Sequence, residues 1–327
     1  MSTTVTQTVV KEEDAKLSKT RDVNWMKVLF QLQITLMSLC AIHFILYDLQ
    51  WKTLFFMLAL VLLGQLGVTA GAHRLWAHNT YSADGILRGF LIFCQTLSGT
   101  GSVYEWVQWH RLHHKYFQTD LDPYNPSRGW FYAHIQSTTL HLSQAQEAEL
   151  KKIDMSDLEN DKLVMWQKKY YIVLYLIVTL LLPINAPAEY WEEGLYSSVF
   201  VLGFLRGFIN LNLAWLINSA IRIWGLKKGE KFPCDTNLVF ILNKSNWLAY
   251  HYIAPWDYQV SEYGQYGKDT ISKIIRIFEV LECASTLKTI DSDTVRKALT
   301  NSVVQKRDIT ECLEELCDYS QKAPVFS

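Results

Sequence analysis

Four long apolar stretches, arranged as two pairs, constrain this chain more than any other feature. Residues 28–47 (VLFQLQITLMSLCAIHFILY) carry no charge over 20 positions. At about 1.5 Å rise per residue a helix of that length crosses roughly 30 Å of hydrocarbon. Residues 53–72 (TLFFMLALVLLGQLGVTAGA) follow after a link short enough only for a hairpin. Residues 170–183 form the third stretch, extendable to Lys168 or Ala186. Residues 196–217 form the fourth, interrupted by Arg206, Asn210 and Asn212. A soluble protein buries one such helix; four in pairs predict four membrane spans. The expected fold is an all-α membrane protein. An intramembrane charge is costly and normally faces the bundle interior, and Arg206 is expected there.

Charge sets the orientation. Lys11, Lys16, Lys19 and Arg21 precede the first stretch, and Arg222, Lys227, Lys228 and Lys231 follow the fourth. The link PINAPAEYWEEGLY between the third and fourth is acidic and holds no Lys or Arg. Positive residues inside then put both termini in the cytosol. The expected organisation is a polar tail (1–27), a hairpin (28–72), a cytosolic segment (73–167), a second hairpin (168–221) and a cytosolic helical cap (222–327). Within the cytosolic segment, residues 86–98 (ILRGFLIFCQTLS) are too short to span and predict an interfacial or cytosol-side helix. Helical periodicity returns from residue 269, with Asp291 or Ser292 as an N-cap further on.

Half the residues are hydrophobic and only 19% are charged, consistent with a bilayer. A net charge of −1 excludes nucleic acid as a partner, which calls for a basic stripe. The six cysteines show no CxxC pair and no framework spacing, so free thiols in a reducing compartment are expected.

Of nine histidines, His73, His78, His110, His113 and His114 crowd into two short boxes, HRLWAH and HRLHH. On a helix, positions 110, 113 and 114 share one face. Neutral imidazoles at that spacing point into one pocket and can bind a transition metal. Zinc usually brings Cys or acidic ligands, and H-E-x-x-H is absent; iron in an oxygen-using site fits better. His43, His134 and His141 read as satisfied polar contacts.

The phrases HRLWAH, EWVQWHRLHHKYFQTDLDPYNPSRGWFYAH, WLINS (215–219) and PWDY (255–258) resemble the membrane-bound acyl-CoA desaturases of the stearoyl-CoA Δ9 type. The resemblance covers roughly residues 25–298. It implies an endoplasmic-reticulum protein with four spans and a cytosolic cap carrying the histidine boxes. It also implies two irons on nine histidines, electrons from cytochrome b5, and O₂-dependent insertion of a double bond into an acyl-CoA. Abstracting hydrogen from an unactivated CH₂ is beyond any side chain, so the metal must supply that chemistry. No catalytic group beyond the metal ligands is expected.

Residue by residue the match is uneven. The five clustered histidines stand where the family has ligands, and so does His251. The family's last box, HNYHH, is replaced here by Leu248-Ala249-Tyr250-His251-Tyr252. The family histidine four residues after the Asn of NSAAH is Arg222 here, although that Asn, expected to hold a water on the metal, is kept as Asn218. Leucine cannot ligate and arginine stays protonated, whereas a Tyr252 phenolate can bind iron. On the substrate side, the family's RD is Gln108-Trp109, its later basic pair is His141-Leu142, and an Asn near the first span is Lys27; Trp215 in WLINS is kept.

As the resemblance implies the sites, His73, His78, His110 and His114 surround one iron, with Tyr252 in place of a fifth ligand. His113, His251 and the water near Asn218 remain at the other. If the Arg222 guanidinium reaches the second site, a unit charge about 4 Å from a divalent ion at an effective dielectric of ~20 costs roughly 8 kcal/mol. If it turns outward to headgroups or solvent, it leaves a hole that water fills. Either way at most one iron is expected, with family activity lost or altered. The alternatives are an active, atypical acyl-CoA desaturase with a rearranged site, and a non-catalytic lipid-binding or regulatory partner of active desaturases.

Overall fold

A computed structural model describes residues 20–220, 247–260, 262 and 269–317. Four helices are long and apolar enough to cross a membrane: Trp25–Tyr47, Trp51–Ala77, Lys162–Trp191 and Leu195–Ser219. Asn24 caps the first through its side chain, which accepts the Lys27 amide at 3.1 Å. Asp161 caps the third. The second span is the central one, 56% buried in its most apolar window against 17% for the first. Leu29, Leu36, Ile172 and Leu182 point outward from the bundle, as lipid-facing side chains do.

Close backbone approach fixes the helix that follows. Gly85–Ser98, capped by Asp84, lies against the second span at Gly67. A Cβ at Gly67 would sit 2.0 Å from the Gln95 amide nitrogen, so only glycine fits at this crossing. Beyond Gly67 the second span winds as a π-helix to Ala77, a winding often found at functional sites. It carries His73 and Arg74 at that end.

Arg206 is fully buried within the bundle. Its Nε donates to the Leu202 carbonyl at 2.7 Å and one Nη to the Leu97 carbonyl at 2.9 Å. The other Nη donates to the Thr179 carbonyl. Leu202 and Thr179 lie in the π-wound stretches of the fourth and third spans, where the widened ladder turns carbonyls toward a new donor. The charge is thus met by backbone dipoles from three helices, in the interior position its sequence context implies.

The cap docks on the inner end of the second span. Ser82–Ala83 pairs antiparallel with Ala284–Ser285, and Thr270–Val280 packs into the core built by Leu75, Leu91, Tyr104 and Ile275. A second core joins Tyr250, Ile253 and Val260 to the helices Ser292–Gln305 and Ile309–Leu316. Asp291 is the N-cap of the former. The PWDY phrase is part of this joint: the Asp257 carboxylate accepts the Tyr250 hydroxyl at 3.3 Å and the Ile290 amide at 3.4 Å. It thereby holds the short helix Trp247–Ile253 in place.

Candidate metal centre

Three elements converge at one end of the bundle. The second span brings His73 at its end and His78 as its C-cap. Val103–Lys115 brings His110, His113 and His114; Ser102 and Glu105 start it with reciprocal capping bonds. Trp247–Ile253 brings His251 and Tyr252.

Five imidazoles lie together in one cage, four of them at mutual ligand spacing and His114 against His251. Ligand nitrogens of His73, His78, His110 and His251 all lie within 4.8 Å of one another. The His78 and His110 Nε2 atoms are 2.9 Å apart, and those of His114 and His251 are 3.0 Å apart. Ring centroids of His78 and His114 are separated by 4.5 Å.

The outer nitrogens of two cage members are held. His73 Nδ1 is 2.6 Å from Glu262 Oε1, and His110 Nδ1 is 3.0 Å from Asn218 Oδ1. A carboxylate and an amide oxygen only accept here, so each Nδ1 carries the proton and each Nε2 is left with its lone pair. His73 Nε2 is buried and has no hydrogen-bond partner. Glu262 is itself gripped by Arg74, Nε to Oε1 at 2.8 Å and Nη2 to Oε2 at 2.6 Å. Burial pushes the Glu262 carboxyl up, but the Arg74 charge and its hydrogen bonds, with that of His73, outweigh it and hold the group well below the usual carboxylate range.

Burial, followed by repulsion among the rings, holds His78, His110, His114 and His251 well below the usual histidine range. Neutral imidazoles are the form a metal requires. An all-nitrogen donor set with an orphaned, buried nitrogen aimed inward fits a first-row transition metal, iron included.

The sixth candidate histidine stands apart. His113 Nδ1 is 2.8 Å from Asp122 Oδ1, and its Nε2 is 2.9 Å from the Tyr252 hydroxyl. The carboxylate fixes the proton on Nδ1, so Nε2 accepts from the tyrosine. Burial, then the Asp122 charge, raises the Tyr252 hydroxyl well above its usual range and keeps it protonated. Its ring stacks on Phe117 at 3.7 Å and on His114 at 5.0 Å.

The structure places these residues as follows. His251 lies beside His73, His78, His110 and His114. The Tyr252 hydroxyl lies 2.9 Å from His113 Nε2. Asn218 Oδ1 lies 3.0 Å from His110 Nδ1. Arg222 lies outside the described residues, as does the side chain of Leu248. His134 is satisfied by Ser219 at 2.9 Å and Asn212 at 3.3 Å, and has no part in the cage.

On the substrate side, a cavity of about 480 Å³ runs beside the cage, lined by Lys27, Gln31, Trp106, Trp109, Trp215 and Asn218 among others. Gln108 instead bonds the Leu150 carbonyl at 3.3 Å. Sequence reasoning missed Glu262, Arg74, Asp122 and Trp106. Three lie by the boxes, Arg74 inside HRLWAH, Trp106 four residues before His110 and Asp122 nine residues after His113, whereas Glu262 has no local signal.

A largely buried histidine cluster of metal-ligand spacing at one end of four membrane-length apolar helices defines a membrane protein with a candidate metal centre. The chain is 36% identical over 281 residues to an acyl-CoA Delta-9 desaturase of Acheta domesticus, covering 85% of this chain and 78% of that protein. It is 33% identical over 277 residues to an acyl-CoA Delta-12 desaturase of Tribolium castaneum, covering 84% and 77%. It is 41% identical over 214 residues to a stearoyl-CoA desaturase of Sus scrofa, covering 64% and 60%. No family model matches the chain. It belongs to the acyl-CoA desaturase family.

Proposed function

We propose that this protein is a single-iron member of the family that binds an acyl chain and has lost two-iron desaturation. The observation that carries the reading is the unequal fate of the six histidines. Five lie together, four of them with ligand nitrogens within 4.8 Å of one another and His114 against His251, while His113 is tied between Asp122 and Tyr252. When bound, iron would supply the activation of O₂ that removal of hydrogen from a CH₂ group needs. The chain's own groups hold the ligands: Glu262 orients His73, Asn218 orients His110, and Trp106 stacks on His110 at 4.9 Å.

The cavity beside the cage supports an acyl lipid as ligand, and its volume is within the usual range for small-molecule sites. The family and the charge asymmetry support an endoplasmic-reticulum location with both termini and the cage on the cytosolic side. One observation favours a second reading, an active atypical desaturase drawing electrons from cytochrome b5: the complete cage shares Trp106 and Asn218 with the cavity wall. Association with active desaturases is the remaining option for a fold that keeps its ligand but not its reaction.

The test is iron per chain in the purified protein, paired with acyl-chain analysis of desaturase-deficient cells expressing it. One iron and no restored unsaturation are expected. Two irons overturn the reading. Rescue that is lost in His110→Ala establishes the atypical enzyme instead.

A further inference from the structure

The cap helix Thr270–Val280 ends in an apolar tip. Ser272 and Ile275 are its buried side, while Ile277, Val280 and the C-cap Leu281 face outward, three and four residues apart. Val280 keeps 79% of its surface exposed. The direction of the tip is fixed, because the helix is anchored at both ends. At its start Arg74 donates to the Asp269 carboxylate at 2.8 Å and to the Ser272 hydroxyl at 2.9 Å. Just past its end Ala284–Ser285 pairs with Ser82–Ala83, and the Cys283 carbonyl accepts the Asp84 amide at 3.0 Å.

That join sets the tip beside a lipid-facing stripe. Asp84 caps Gly85–Ser98, whose outward side carries Ile86, Phe90 and Phe93 at helical spacing. Arg88 of the same helix pairs with Asp161, the N-cap of the third span. Trp166 and Tyr170 face outward in the first turns of that span. Aromatic residues with a polar edge at the end of a span mark the headgroup level. The Arg88–Asp161 pair therefore holds Ile86 near that level, and the bond between Asp84 and Cys283 brings Leu281 close to Ile86.

A single exposed leucine or valine is ordinary on any surface. Three together, continuous with the flank that meets the bilayer, call for an apolar partner, and the partner already present along that flank is lipid. We infer that Ile277, Val280 and Leu281 insert among the phospholipids of the leaflet at the cage end. The cap then has a monotopic contact of its own, beyond the four spans.

Photo-crosslinking of the full chain in phosphatidylcholine nanodiscs tests this. Benzoylphenylalanine replaces Phe90, Leu281 or Val304 in turn, and adducts are identified by mass spectrometry. Val304 is as exposed, at 75%, but ends the helix Ser292–Gln305, which belongs to the core around Tyr250 and Ile253. Position 281 should give phospholipid adducts on the scale of position 90 and about tenfold more than position 304. Val280→Asp, a charge placed at lipid level, should cut the yield at 281 about tenfold and leave that at 90 unchanged, which also shows that the variant folds. A phospholipid yield at 281 no higher than at 304, or one indifferent to Val280→Asp, overturns the inference. So does an adduct at 281 to another segment of this chain or to a second copy.

Discussion

The five-histidine cage and the His113 position meet on the helix Val103–Lys115, which supplies His110 and His114 to the one and His113 to the other, and the chain treats them differently. At the cage, carboxylate and amide oxygens hold the outer nitrogens so that inner nitrogens converge. At His113, Asp122 holds the outer nitrogen in the same way, yet the inner nitrogen accepts a tyrosine hydroxyl. On the proposed reading, the hydrogen bond supplied from the helix Trp247–Ile253 closes a metal position at His113 without disturbing the neighbouring cage.

The sharpest way to break this comparison is to remove one histidine from each side. His110→Ala takes a nitrogen from the cage and should lower iron affinity by ~100-fold or more, beyond the 10–100-fold typical of losing an outer partner. His113→Ala should leave iron content at the unaltered level, measured by elemental analysis of the purified protein. Iron lost equally from both variants would mean that the two positions act as one site.

Next in size is Glu262→Gln. The amide keeps the shape but weakens the hold on His73 and leaves the buried Arg74 with less compensation. Iron affinity should fall ~10–100-fold, while Asp122→Asn, the matching change at the other position, should not alter it. An effect of Asp122→Asn on iron as large as that of Glu262→Gln would erase the distinction.

How much of this was readable beforehand follows from what each residue does. The spans were legible because lipid contact demands uninterrupted apolar sequence, and Arg206 because a charge in such a run has only the interior to face. Four cage residues were legible from their crowding, and His251 from the resemblance to the family's last box. Which histidine serves which position was not. It depends on the rotation of the helix Trp247–Ile253, and adjacent residues 251 and 252 point to different neighbours there. Glu262 and Arg74 escaped because 188 residues separate the pair and nothing local announces it.

Acid should separate the two positions next. Four cage histidines are held well below the usual histidine range by burial and then by one another, although His78, His114 and His251 keep part of their surface open. Below about pH 6.5 the unfolded chain therefore binds more protons than the folded one. Stability of the metal-free protein should be fully present above that pH and fall as pH drops through it, read as melting temperature at pH 7.5 and 5.5. His114→Gln should flatten the slope. A melting temperature that rises on acidification would sink the account of the cage as neutral.

The smallest effect is expected from Tyr252→Phe. The ring is kept, so its stacking on Phe117 and His114 survives, and only the hydroxyl is lost. His113 Nε2 then becomes an acceptor without this donor in a fully buried side chain, a loss of about 1–3 kcal/mol. The melting temperature should fall accordingly, with iron content unchanged because the hydroxyl faces His113 and not the cage. Loss of iron in this variant would place Tyr252 among the metal ligands after all, and the two positions would have to be redrawn as one five-histidine, one-tyrosine site. A gain of a second metal would show that the hydroxyl alone had been keeping the neighbouring position shut.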